Sequence, residues 1–321
     1  GDAGRGIHFD HIYYNSRESL FSLKLSNSSI DVAGTGTKGI YIFESFGGYA
    51  RPFSADIIGT KIVVSGDYGV AVQTTGLDRA DLALKLLNSS IDATGTGAHG
   101  IDLHSKSLVD LSGTKIAVSG DSGRGVYYTG QYPQNSLRLS NGSIDATGTD
   151  VRGIMLGFEG YYDYRYLSAD VSGTELTVSG ERAQGLRIKC GGNVKLSSIS
   201  IDASGTEAKG VYVRDTLSSD VSGTKIAVSG DRGVGIDVNN LYAGSGNLIK
   251  ISNTSIDVTG GGAEGINSYG AESAYVSGTK IVVSGDKCIG LYGRGTRAND
   301  ALEISNTSID VTGTRAKGID T

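Results

Sequence analysis

The sequence predicts an all-β chain folded as one right-handed parallel β-helix, a solenoid of about eleven rungs with three short strands in each rung. Three observations predict it. A set of fixed positions recurs eleven times, at intervals of 25 to 32 residues. Within each copy, apolar residues alternate with polar ones at a period of two, the pattern of a strand with one buried face. Glycine is 50 of 321 residues while proline is only 2, so turns are frequent without collagen or linker character.

Counting each repeat from its central Ile or Leu puts position zero at Ile30, Ile62, Ile91, Ile116, Ile144, Leu176, Ile201, Ile226, Ile256, Ile281 and Ile309. The mean spacing of about 28 residues is what three strands and three turns require. Five before zero is aliphatic in every copy, from Leu25 and Ile57 to Val276 and Ile304. Two after is always Val or Ala, and ten after is always Ile, Val or Leu. These four positions are the predicted core, stacked rung on rung at ~4.8 Å. Four after is always Gly, and nine after is Gly in every copy but the second, which has Ala71. Glycine at both places marks a turn that needs positive φ or a close backbone approach.

The rungs alternate between two types. One carries Ser-Ile-Asp, as at Ser90-Ile91-Asp92, and the other Lys-Ile-Ala or Lys-Ile-Val, as at Lys115-Ile116-Ala117. Glu175-Leu176-Thr177 departs from this. Outward Asp and Lys on neighbouring rungs are expected to attract diagonally. Three before zero, Asn27, Asn88, Asn141, Asn253 and Asn306 alternate with Gly59, Gly113, Gly173, Gly223 and Gly278, with Ser198 as the exception. Each of those asparagines opens an N-x-S/T sequon, but their shared repeat position marks a structural role. Gly1–Ile7 aligns with Gly120–Val126, and Lys317-Gly318-Ile319 matches the plus-eight to plus-ten segment. Residues 1–321 therefore read as a single β-helix fragment that starts and ends mid-rung, a piece of a longer array.

Between plus twelve and the next minus seven the sequence is free. The longest such segments are 10–22, 43–54, 157–168 and 239–248. All are expected to leave the same corner of the coil and to line up along one edge, where a rigid scaffold places recognition loops. Three of them hold twelve of the chain's 23 Phe and Tyr residues. The segment Phe158 to Tyr166, with Tyr161, Tyr162, Tyr164, Arg165 and Tyr166, has the composition of a binding loop. Tyr13, Tyr14, Phe46 and Tyr49 extend the same edge. These ten residues are the candidate partner-binding set.

No catalytic constellation emerges. The Asp column Asp31, Asp92, Asp145, Asp202, Asp257 and Asp310 runs the whole length, whereas an active site is local. His8 with His11, and His99 with His104, lack a third ligand at metal spacing and read as solvated. Asp67, Asp121, Asp231 and Asp286 follow a turn glycine and are expected to cap that turn. Cys190 and Cys288 fall four rungs apart, roughly 19 Å, too far for a disulfide. No metal or cofactor is expected. A net charge of −5 with mixed signs gives no basic footprint for nucleic acid, and no segment has the length and apolarity of a membrane span.

Ser26–Gly36 (Ser-Asn-Ser-Ser-Ile-Asp-Val-Ala-Gly-Thr-Gly) and the Ser-Gly-Thr-Lys-Ile-Ala-Val-Ser-Gly-Asp runs at 112–121 and 222–231 resemble passenger domains of type V autotransporters. The resemblance covers the whole chain and is nearest to the Bartonella autotransporter group, which includes an angiogenic factor. It implies export through a bacterial outer membrane, an extracellular or cell-surface location and a virulence role. It also implies a host-cell surface protein as partner, in the angiogenic members a VEGF receptor; no enzymatic activity is expected, because the residues show no catalytic cluster. Two other functions fit the same residues: a carbohydrate-active β-helix enzyme, and a structural stalk or adhesin.

Overall fold

A short strand with alternating aliphatic residues can bury one face only against another such strand, and this chain stacks each strand on its own repeats. The computed structural model describes residues 4–11, 21–44, 53–75, 82–104, 107–129, 135–157, 167–189, 192–214, 216, 218–239, 248–270, 273–294 and 301–321. One rung consists of Lys38–Glu44, Phe53–Ile58 and Lys61–Ser65. Each of these pairs in parallel with its equivalents on the rungs before and after. The result is a parallel β-helix of three sheets. Sheet A has 12 strands, from Arg5–His11 to Lys317–Asp320. Sheets B and C have 11 each, beginning at Phe21–Ser26 and Ser29–Ala33. No helix occurs among the described residues.

The register is the one the repeat dictates: Ile30 pairs with Ile62, Ile62 with Ile91 and Ile91 with Ile116, zero on zero. The interior is one aliphatic column in which Ile57, Ile62, Val64 and Val72 are wholly shielded from water. Minus-five, zero, plus-two and plus-ten residues form that column along the rod. Burial of this apolar area at ~25 cal/mol/Å² is the main stabilising term.

The two conserved glycine positions within the repeat differ in cause. At plus four the backbone is left-handed, as at Gly66 with φ 123°. A Cβ there would also stand 2.5 Å from the carbonyl oxygen of Gly34 on the rung below. At plus nine φ is ordinary, but a Cβ on Gly39 would meet the carbonyl oxygen of Ala71 and the Cγ2 of Ile62, each at 2.6 Å. Positions nine and ten both turn inward there, so the first of them must be very small; Ala71, buried beside Val72, is the one non-glycine. Plus six is a third constrained place that the residue types conceal. It is left-handed in Gly36, Tyr68, Ser122, Arg182 and Lys287 alike, with φ near 60°.

The minus-three asparagines are structural, held at φ 47° to 53°. The turn aspartates cap, but not their own turn: Oδ1 of Asp67 accepts from Thr96 N, that of Asp121 from Thr149 N and that of Asp231 from Gly261 N, each at 2.9 Å. They clamp the next rung, which lacks an Asp at that place. The expected diagonal Asp–Lys attraction is not realised. Among the described residues no ion pair joins the column Asp31–Asp310 to a Lys of a neighbouring rung. Both side chains of each such pair stand out into water, where screening leaves little gain in ordering them. Cys288 is a free, buried thiol, its Sγ 3.2 Å from Gly260 O; Cys190 lies outside the described residues.

Candidate functional site

The ten residues of the candidate binding set (Tyr13, Tyr14, Phe46, Tyr49, Phe158, Tyr161, Tyr162, Tyr164, Arg165 and Tyr166) lie outside the described residues. Their place along the chain is defined. Along the chain, every internal stretch left out falls between a strand of sheet A and the following strand of sheet B, so the described residues that flank them all lie at one corner.

A polar site stands beside that corner, on the outward side of sheet A. Because plus nine and plus ten both turn inward, the outward residues of this sheet are plus eight and plus eleven. Register aligns them into two columns. The first runs Arg5, Lys38, Val70, His99, Arg124, Arg152, Gln184, Lys209, and the second His8, Tyr41, Gln73, Asp102, Tyr127, Met155, Arg187, Tyr212. These sixteen positions hold six Lys or Arg and one carboxylate. The balance inverts on the next four rungs, where Asp237, Glu264 and Asp320 face a single Lys317.

The lone carboxylate, Asp102, is the centre of the site. It is only 5% exposed. Nε2 of His104 lies 2.7 Å from Oδ1, and Nδ1 of His99 lies 3.6 Å from Oδ2. Gln73 donates from Nε2 to Oδ2 at 3.0 Å. Burial alone would push the carboxyl up, but the hydrogen bonds and charges of His104 and His99 outweigh it and hold Asp102 well below the ordinary carboxylate range. The two histidines are thus not solvated, as the sequence suggested, but wrap one buried acid. Their rings also meet the edge of Tyr127, at 5.9 Å for His99 and 5.5 Å for His104.

Cations border this cluster on both sides. The Arg124 guanidinium sits 4.3 Å over the Tyr127 ring, and Lys38 Nζ sits 4.4 Å over Tyr41. Burial and the neighbouring Arg5 lower the Lys38 pKa, with Asp102 opposing them. Between them opens a groove of about 450 Å³, lined by Lys38, Val70, Gln73, His99, Asp102 and Arg124 and by the turn residues Tyr68 and Ser122. Gln73 Oε1 and Arg124 Nε are shielded there with no hydrogen-bond partner among the described residues.

Thr129 Oγ1, itself buried, lies 2.8 Å from Nδ1 of His104. Among the described residues no group of three His, Cys, Asp or Glu is placed to hold a metal ion. Farther along the sheet, Lys209 pairs with Asp237, and Asn267 Nδ2 donates to Glu264 Oε2 at 2.7 Å. Burial raises the Glu264 pKa, with Asp237 adding to it.

No protein-family model matches the chain, and a search of curated proteins finds no match. Among solved structures, the chain is similar to Vag8, a Bordetella autotransporter passenger, in the Vag8–C1 inhibitor complex. The two share 20% identity and a TM-score of 0.64, over 92% of this chain and 68% of that one. The A-module of the Azotobacter vinelandii mannuronan C-5 epimerase AlgE4 also aligns, over 94% of this chain and 88% of that one, at 12% identity and a TM-score of only 0.31. The first likeness establishes the parallel β-helix fold.

Proposed function

We propose that the chain is the passenger of a bacterial autotransporter, presented outside the cell, and that it binds a host protein through the side of its rod. The observation that carries this reading is the likeness along 92% of the chain to Vag8, a passenger solved in complex with the host protein C1 inhibitor. The physical character of the rod supports it. Stacked rungs give a rigid scaffold, and along the chain the longest variable segments, the tyrosine-rich Phe158–Tyr166 among them, each join a strand of sheet A to the following strand of sheet B. The corner between those two sheets is the proposed contact edge, and the host-cell receptor class named by the family resemblance, a VEGF receptor, is the finer form of the reading.

The test is binding of the purified chain to human endothelial cells, with receptor phosphorylation read beside it. Saturable binding with phosphorylation supports a receptor ligand. Absence of binding both to cells and to a panel of serum proteins overturns the reading and leaves a stalk.

A further inference from the structure

We propose that the outward face of sheet A between Arg5 and Lys209 is a binding site for an acidic polysaccharide chain. Lys38 and Arg124 would take its anionic groups, and Gln73 and Asp102 its hydroxyls. This inference stands apart from the protein partner proposed above and would survive that reading's failure.

Charge sets the sign of the ligand. The whole chain carries −5, yet sixteen outward positions on eight consecutive rungs carry six Lys or Arg against Asp102 alone. Strands ~4.8 Å apart spread these cations over roughly 34 Å; Met155 is covered, and the open part is the groove between Lys38 and Arg124, long enough for several units of an extended chain. Aligned cations at that spacing repel unless counter-charged. Asp237 pairs with Lys209 at one end of the strip, and at the groove the relief includes the rings of Tyr41 and Tyr127 beneath Lys38 and Arg124.

Hydrogen bonding sets the chemical class. The groove is lined by the Gln73 side-chain amide, the Arg124 guanidinium and the buried carboxylate of Asp102. A purely anionic ligand satisfies the guanidinium but leaves the acceptors bare and repels Asp102. Sugar hydroxyls donate and accept at once, and a uronate or sulfate on the same chain answers Lys38 and Arg124. An acidic peptide has the charge but not this density of hydroxyls.

The test uses the whole chain against immobilised heparin, polygalacturonate, neutral dextran and poly-glutamate. Heparin or polygalacturonate should bind and be released by salt, while dextran and poly-glutamate should bind at least about ten-fold more weakly. Lys38→Gln with Arg124→Gln should weaken glycan binding about ten-fold or more. Lys225→Gln with Lys280→Gln, on exposed positions of sheet C, should leave it unchanged. Gln73→Leu separates hydroxyl recognition from bulk charge, because it keeps every cation yet should still lower affinity. Circular dichroism and melting temperature verify that each variant is folded. Binding to neither acidic glycan, equal retention of poly-glutamate, or a glycan affinity insensitive to the sheet A variants in folded protein would each overturn the proposal.

Discussion

Asn141 and Gly173 occupy the same left-handed corner on consecutive rungs, at φ 53° and 55°, and the Asn141 amide oxygen sits 2.6 Å from where a Cβ of Gly173 would stand. Asn27 with Gly59 and Asn253 with Gly278 repeat this relationship at the same distance. Asparagine tolerates the left-handed region because its amide bonds locally, and glycine because it has no Cβ. A side chain on Gly173 would require only the Asn141 amide, the end of a flexible side chain, to move. The double-rung period of the chain shows at this corner as alternating Asn and Gly, and at the plus-five turn as an Asp on one rung that caps the next.

Replacing Gly173 by Ala tests that relationship. The strained φ and the blocked Cβ together should cost about 1–3 kcal/mol, read as a lowered urea midpoint. Asn141→Gly should cost much less and should rescue part of the Gly173→Ala loss in the double variant, since it removes the obstructing oxygen.

The inside–outside assignment of sheet C predicts opposite outcomes at adjacent residues. Ile144→Ala empties a buried site and should destabilise by about 2–5 kcal/mol. Asp145→Ala, on the solvent side of the same strand, should fall within about 0.5 kcal/mol of the parent. Chemical denaturation of the two variants side by side checks this.

Asp102 predicts an acid-resistant contribution to stability. Its folded carboxyl is held below the unfolded value near 3.9. The stabilisation is complete above about pH 4 and is lost only as pH falls through the depressed folded value. Asp102→Asn should thus be less stable than the parent at pH 5 to 7, by about 2 kcal/mol, because the hydrogen bonds that His104 and Gln73 make to a buried carboxylate are lost or weakened. The gap should close as the solution is acidified well below pH 4. A melting-temperature series across pH measures it.

Glu264 behaves in the opposite sense. Burial raises its folded pKa, so its ionised form opposes folding at neutral pH, and this cost disappears below the unfolded value near 4.3. Glu264→Gln keeps an acceptor for Asn267 and should raise the melting temperature at pH 7. The gain should vanish on acidification below about pH 4.

The fold was legible in the sequence because every rung is tested against ten others. Position zero, its partners at minus five, plus two and plus ten, and the glycines all recur in one frame, and the register Ile30–Ile62–Ile91 follows from that frame. The left-handed plus-six position was hidden because Tyr68, Ser122 and Arg182 share no residue type. The site was hidden for a related reason. Position plus eleven holds Tyr41, Gln73, Asp102, Tyr127 and Met155 in turn, so no periodicity announces that Asp102 is buried. His99 and His104 were visible as a pair, but their partner lies between them on the opposite side of the alternation from the core. Reading down the plus-eight column in register, Arg5–Lys38–Val70–His99–Arg124–Arg152, is the signal that would have found it.

The most direct test of a side-binding passenger is a saturation isotherm on host endothelial cells for the parent chain and for a variant with Tyr161, Tyr162, Tyr164 and Tyr166 changed to Ser. The variant must first be shown to keep the parent's β-sheet spectrum. The account predicts saturable binding by the parent and a loss of about ten-fold or more in the variant, as expected for removal of aromatic anchors from an interface. Binding of equal strength by the folded variant, or no saturable binding by the parent, would contradict it.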